Sequence, residues 1–197
     1  WKMQEEDFIK SINWIDELKL RTGFGITGNS AVNAYTTSGP LTQYNYVYGT
    51  TPGIGMIPKD MANAELGWEK TRQINVGLDF AVLNRRLSGT IEWYQSNTYD
   101  LLMNRAIPGI TGYSNVLDNI GEMKNTGIEV SLSSINVSSK DFTWRTDFNI
   151  SHNKEQIVSL VNGKEDMKSS GWFIGQPLSV YRYFLVDGLW QNTEEDL

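Results

Sequence analysis

The sequence predicts an all-β protein, an antiparallel up-and-down transmembrane β-barrel wall with one short N-terminal helix. Three observations predict it. Ile74, Val76, Leu78, Phe80 and Val82 alternate with polar or small residues, and the alternation resumes at Leu87, Gly89, Ile91 and Trp93. That period of two belongs to strands with one apolar and one polar face. The two runs are joined only by LNRR, residues 83–86. Long and short connections also alternate along the chain. In a meander this gathers the long loops at one end and the tight turns at the other, as outer-membrane barrels do. A soluble antiparallel sheet, its apolar face buried in a core, shares the first two features.

The elements follow in order. QEEDFIKSINWI (4–15) predicts a helix, with Phe8, Ile9, Ile12 and Ile15 on one face and Glu5, Glu6 and Asp7 in the first turn, where the helix dipole favours acids. DELKLRTGFGITGN (16–29) predicts a strand carrying Leu18, Leu20, Phe24 and Ile26 on one side. Residues 29–66, rich in Gly, Pro, Asn, Thr and Tyr, predict a long loop, and loops of that length are usually functional. The second quoted strand continues to about Met103, followed by a second long loop at 104–121. GIEVSLSSINV (127–137) and DFTWRTDFNIS (141–151) predict a strand pair with a turn near SSK. A third irregular stretch covers 153–177, and YRYFLVDGLWQ (181–191) starts another segment. Trp68, Trp93, Tyr94, Tyr99 and Trp144 lie near strand ends, where interfacial aromatic girdles sit.

Composition narrows the function. The chain has 197 residues, 40% hydrophobic and 20% charged, with net charge −6, which excludes a disordered type and argues against a nucleic-acid surface. It contains no cysteine, hence no disulfide, thiolate metal site or cysteine nucleophile. No apolar run is long enough for a membrane helix. A polar mean hydropathy does not exclude a barrel, whose lipid-facing and lumen-facing residues average out. The chain starts at Trp1 without an initiator Met and reads as a piece of a longer protein.

No enzyme, cofactor or metal site is expected. His152, in ISHNK, is the one histidine, and neither a triad nor a metal set can be built around it. GFGITG (23–28) resembles a dinucleotide fingerprint but lies in a strand with no helix after it; its glycines are expected to provide lumen-side space or strand-end bends. The acidic triplets at 5–7 and 194–196 match no calcium-loop spacing, and the sequons at 136–138 and 149–151 are chance matches. The candidate binding residues are aromatic: Tyr35, then Tyr44, Tyr46 and Tyr48 in LTQYNYVYG, and Tyr113 in the second loop. Aromatic faces with polar tips suit sugar or peptide binding. The alternative is that Tyr44, Tyr46 and Tyr48 form one face of an extracellular strand extension, packing on a loop or lid.

Five blocks carry a resemblance: residues 1–29, 66–103 (LGWEKTRQINVGLDFAVLNRRLSGTIEWYQSNTYDLLM), 107–133 (IPGITGYSNVLDNIGEMKNTGIEVSLS), 141–160 and 174–191. In these the chain resembles the SusC/RagA group of TonB-dependent outer-membrane transporters of Bacteroidetes. The resemblance implies a segment from the C-terminal half of a 22-stranded barrel, with residues 1–197 forming part of that single domain. The plug domain and TonB box would lie outside this chain. It further implies import of oligosaccharides or peptides, energy from the TonB complex, a SusD-like surface lipoprotein as lid, a setting in outer-membrane lipid, and no nucleic-acid partner. Phe80 and Ile91 would then face lipid, and Asn75, Asp79 and Glu92 the lumen and plug. A passive porin or adhesin-type barrel and a soluble carbohydrate-binding β domain are the competing functions.

Overall fold

The computed structural model describes residues 1–30, 32, 35–183 and 185. Seven strands follow a short N-terminal segment: β1 (Ile15–Asn29), β2 (Leu41–Tyr48), β3 (Thr51–Pro58), β4 (Glu69–Val82), β5 (Leu87–Ala106), β6 (Asn115–Ser138) and β7 (Thr143–Ser159). Five form one antiparallel sheet in the order β1-β4-β5-β6-β7, and β2 and β3 form a separate hairpin. The sheet is therefore an up-and-down meander with the hairpin inserted in its first connection.

Register aligns the alternating residues into cross-strand rows. Leu20, Leu78, Ile91, Val130 and Ile150 make one apolar row. Lys19, Asp79, Thr90, Ser131 and Asn149 make the polar row beside it. The apolar face is not a core: Phe24 is 66% exposed, Phe148 51% and Ile150 58%. The few buried apolar residues, among them Ala81, Val116, Ile157 and Leu160, do not lie beneath these side chains as a packed layer. Long strands with a bare apolar face are expected of a barrel wall in lipid and not of a sandwich, which covers that face with a second sheet.

The tight turns meet expectation. Residues 83–86 connect β4 to β5, with Leu83, Asn84 and Arg85 all left-handed (φ 58°, 56° and 58°). Such a run is sterically unfavourable for residues with a Cβ. It is held by Leu83 N donating to Trp14 O (2.9 Å) and Arg85 N to Asp16 Oδ2 (2.8 Å). Residues 139–142 turn β6 into β7 at the same end.

Five expectations are corrected. The N-terminal helix shrinks to a 3-10 turn, Met3–Glu5, and a four-residue α-helix, Asp7–Lys10, separated by extended Glu6. So short a helix barely repays its nucleation cost, and the segment pairs instead with the open edge of β1, Leu20 N donating to Trp1 O (2.8 Å). The first long loop contains the β2–β3 hairpin. The second shrinks to residues 107–114, because β5 and β6 pair out to Ala106 and Asn115. β7 runs to Ser159, so the third irregular stretch begins only at Leu160 and His152 lies within the strand. Tyr94 leaves the girdle: it follows Trp93, so the pleat sends it to the polar face, where its ring covers Gly127 and its hydroxyl bonds Asn153 Oδ1 (3.2 Å). Of the predicted segment 181–191, residues 184 and 186–191 lie outside the described residues, as does the acidic triplet at 194–196.

β1 and β7 are the outer strands of the sheet, and much of each lacks a further partner among the described residues. With a bare apolar face and two open edges, the isolated 197-residue chain is expected to aggregate without detergent. Size-exclusion chromatography and chemical denaturation test this; a soluble monomer that unfolds cooperatively would contradict it.

Candidate functional site

The end of the sheet opposite the tight turns carries the loops; two features gather there, and a third lies on the polar face nearer the turns. The first is the β2–β3 hairpin. Tyr44, Tyr46 and Tyr48 fall on one face of β2, opposite Gly55, Gly53 and Thr51 of β3. The Tyr46 and Tyr48 rings meet edge to face with centroids 4.9 Å apart, the geometry aromatic quadrupoles favour. Tyr46 lies across β3, and a Cβ at Gly55 would stand 2.5 Å from its Cε1. Glycine at 55 thus lets the ring lie flat. The other face is exposed and mixed, with Leu41, Val47, Ile54 and Met56 beside Gln43 and Asn45.

The second feature is a clasp that binds the end of the first loop to the sheet. β4 stops pairing with β5 at Lys70–Tyr99, while β5 climbs on with β6. Asp100, left-handed at φ 58°, marks a bulge between the two regimes. The loop closes the gap. Asn119 Oδ1 accepts from Gly67 N (2.7 Å), and its Nδ2 donates to Gly67 O (3.0 Å) and Asp100 O (2.7 Å). Its amide thus meets both peptide groups of one loop residue. Asn63 Nδ2 donates to Leu117 O (2.9 Å), and Glu69 Oε1 accepts from Leu102 N (3.1 Å). Beside the clasp is a cavity of about 420 Å³, lined in part by Met61, Leu66, Asn104, Asn115 and Val116.

The third is an ion network on the polar face. Arg21 donates from Nε to Asp79 Oδ2 and from Nη2 to Asp79 Oδ1, both at 2.9 Å, the two-point geometry that suits guanidinium and carboxylate. Glu92 (3.5 Å from Arg21) and Lys19 (3.5 Å from Asp79) extend it, and Thr90 Oγ1 donates to Asp79 Oδ1 at 3.3 Å. Five strand positions on three strands are thereby tied side to side.

Of the five predicted tyrosines, Tyr44, Tyr46 and Tyr48 share a face. Tyr35 is 79% exposed in a left-handed conformation. Tyr113 is half-buried in the turn above β5 and β6; neither makes a ring contact with the other three among the described residues. Sequence reasoning missed Asn63, Gly67, Asp100 and Asn119. Asparagine next to an acid in a polar run is unremarkable, and its partner lies 52 residues away. The described residues contain no group of three or more potential metal ligands.

Comparison with known proteins places the chain. TonB-dependent receptor P39 of Formosa agariphila is 37% identical over 199 residues, covering 100% of this chain and 19% of its own length. TonB-dependent receptor SusC of Bacteroides thetaiotaomicron is 39% identical over 171 residues, 84% of this chain and 17% of its own length. The solved structure of the RagAB peptide importer in its "open-open" state matches with TM-score 0.78 at 32% identity, over 90% of this chain and 19% of that one. The chain spans about a fifth of the length of these relatives. The family described as "TonB dependent receptor-like, beta-barrel" matches residues 11–190, and with its two-faced antiparallel meander the chain belongs to that family.

Proposed function

We propose that this chain is part of the wall of a TonB-dependent active importer of large nutrients in the cell outer membrane, oligosaccharides or peptides being the cargo classes. The carrying observation is the uncovered apolar face on a meander with tight turns at one end and loops at the other. From Ile74 to Val82 the apolar run of β4 covers roughly 26 Å along the strand at about 3.3 Å per residue. Tilted by about 40°, that is about 20 Å of membrane depth, close to the apolar band of outer-membrane barrels. In this reading the polar face, with Arg21, Asp79 and Glu92, lines the lumen toward a plug domain, and residues 1–197 are one part of a single barrel domain. The plug and TonB box belong to the rest of the full-length protein. The loop end faces outward, where a SusD-like lipoprotein caps the barrel and Tyr35, Tyr44, Tyr46, Tyr48 and Tyr113 are the candidate cargo contacts. Names of the relatives support this reading: SusC is a TonB-dependent receptor and RagAB a peptide importer.

The test is made on the full-length protein in cells. Uptake of fluorescent oligosaccharides and peptides should stop with a protonophore, and the lipoprotein should co-purify in mild detergent. Uptake that persists without the proton gradient would favour a passive porin. Replacing Tyr44, Tyr46 and Tyr48 together by alanine should cut cargo affinity at least roughly tenfold, and up to about a thousandfold, at about 0.5–1.5 kcal/mol per aromatic contact. Unchanged affinity in a binding titration would leave the tyrosines as packing residues of the hairpin.

A further inference from the structure

Above the apolar rows, the outer side of the sheet changes chemistry abruptly. The row Thr22, Val76, Trp93, Ile128, His152 is followed by Phe24, Ile74, Gln95, Thr126, Lys154 and then by Ile26, Arg72, Asn97, Lys124, Gln156, so the change falls on β4 to β7 while β1 stays apolar. Strand alternation keeps all of these on the face that carries Leu78 and Ile91. Three cations, Arg72, Lys124 and Lys154, thus lie in two adjacent rows. Arg72 and Lys124 are separated by two strand spacings, about 10 Å. Lys154 is the diagonal neighbour of Lys124, about 7–8 Å away by backbone geometry.

Within the described residues none of the three makes an ion pair or a side-chain hydrogen bond. Arg72 and Lys154 are exposed and Lys124 half-buried. One carboxylate shares their side at this height, Glu122, which accepts from Asn97 Nδ2 at 3.4 Å. Nearby Lys70 is already paired with Asp100 at 3.1 Å. The turn end differs: Arg85 pairs with Glu17 at 3.4 Å and Arg86 donates to the carbonyls of Ile135 and Asn136. Like charges so close repel one another unless an anion lies between them. Lys154 lies two rows, and Arg72 and Lys124 three rows, beyond the fully apolar row Leu20, Leu78, Ile91, Val130, Ile150, at the height of lipid head groups.

We infer that Arg72, Lys124 and Lys154 form a binding surface for the phosphate groups of phosphorylated lipid in the outer leaflet. The inference rests on the reading that the apolar face meets lipid and the loop end faces outward. Arg72 offers a fork of donors to phosphate oxygens and the lysines act as point charges. Trp93, 40% exposed just below, lies where an amphipathic ring anchors at the interface. The bound phosphates would fix the height of this part of the barrel and relieve the repulsion between the cations.

The test uses the full-length transporter in phosphatidylcholine nanodiscs doped with a bis-phosphorylated diglucosamine lipid or its dephosphorylated counterpart, with retained lipid counted by native mass spectrometry. Wild type should retain the phosphorylated lipid selectively, and the preference should fade with salt. Arg72→Gln with Lys124→Gln and Lys154→Gln should weaken retention about a hundredfold, at about fivefold per cation. Lys124→Gln with Lys154→Gln alone should weaken it about 25-fold on the same scale; Arg72→Lys should largely preserve it. Retention that is equal in wild type and variants, or equal for both lipids, overturns the proposal. So does loss of a co-purifying lipoprotein with lipid retention unchanged, which would assign the surface to a protein partner. A fluorophore on Ile91→Cys separates the two failures. Quenching by brominated acyl chains keeps the lipid-facing reading when the phosphate proposal fails; absence of quenching removes the reading itself.

Discussion

Leu78→Arg is expected to destabilise the full-length barrel by about 2–4 kcal/mol, the cost of a cation on the lipid face near the membrane midplane. Leu78 is the middle residue of the apolar run of β4 and sits in the row Leu20, Leu78, Ile91, Val130, Ile150. No acidic side chain shares that row, and long flanking apolar rows leave an arginine only partial escape by reaching toward the head groups. The matched control is Ser131→Arg, in the neighbouring row on the polar face with Asp79, Thr90 and Asn149. There the cation meets water and carboxylates, and the expected cost is under about 1 kcal/mol. Urea titrations in detergent, followed by heat-modifiable gel mobility, measure both. Equal sensitivity of the two faces, or a costlier Ser131→Arg, would mean that the apolar face does not contact lipid.

Asn119→Asp is expected to open the loop clasp. The wild-type amide makes three hydrogen bonds, two of them donated by Nδ2 to the carbonyls of Gly67 and Asp100. A carboxylate turns both donations into oxygen–oxygen repulsion. At about 0.5–1.5 kcal/mol per hydrogen bond, the loss is about 2–4 kcal/mol of local stability. Amide exchange over residues 59–68 should then accelerate roughly 30- to 1000-fold, since local opening sets exchange there. The sheet amides of β5 and β6 below the bulge should be unaffected. Asn119→Ala, which removes the bonds without adding repulsion, should fall between the two. Unchanged protection of residues 59–68 in Asn119→Asp would show that Asn63 and Glu69 hold the loop unaided.

The two faces of β1, β4, β5 and β7 were legible because side-chain direction in a strand depends only on the parity of position. Leu18 to Ile26 and Ile74 to Val82 announce their side without any knowledge of neighbours. The turns at 83–86 and 139–142 were legible for a similar reason, being short polar breaks between such runs. The same parity separates Trp93 from Tyr94, so the girdle assignment of Tyr94 could have been refused from the sequence.

Where proline, glycine and adjacent apolar residues break the alternation, that signal vanishes. Asn104–Ala106 and Asn115–Gly121 lie in NRAIPGITGYSNVLDNIG, whose proline and glycines read as loop, yet the backbone ladder of β5 and β6 carries through them. The β2–β3 hairpin was hidden likewise: Gly53 and Gly55 weaken strand propensity, and only the register that sets Gly55 under the Tyr46 ring makes them useful there. Local alternation therefore settles which side a residue faces, through stereochemistry contained in each residue and its neighbours. Which residues stand beside each other across strands was decided by pairing over long separations. The Arg21–Asp79 pair spans 58 positions and the Asn119 clasp 52; no local preference encodes such a distance, because it is the hydrogen-bond ladder between strands that brings those side chains within reach.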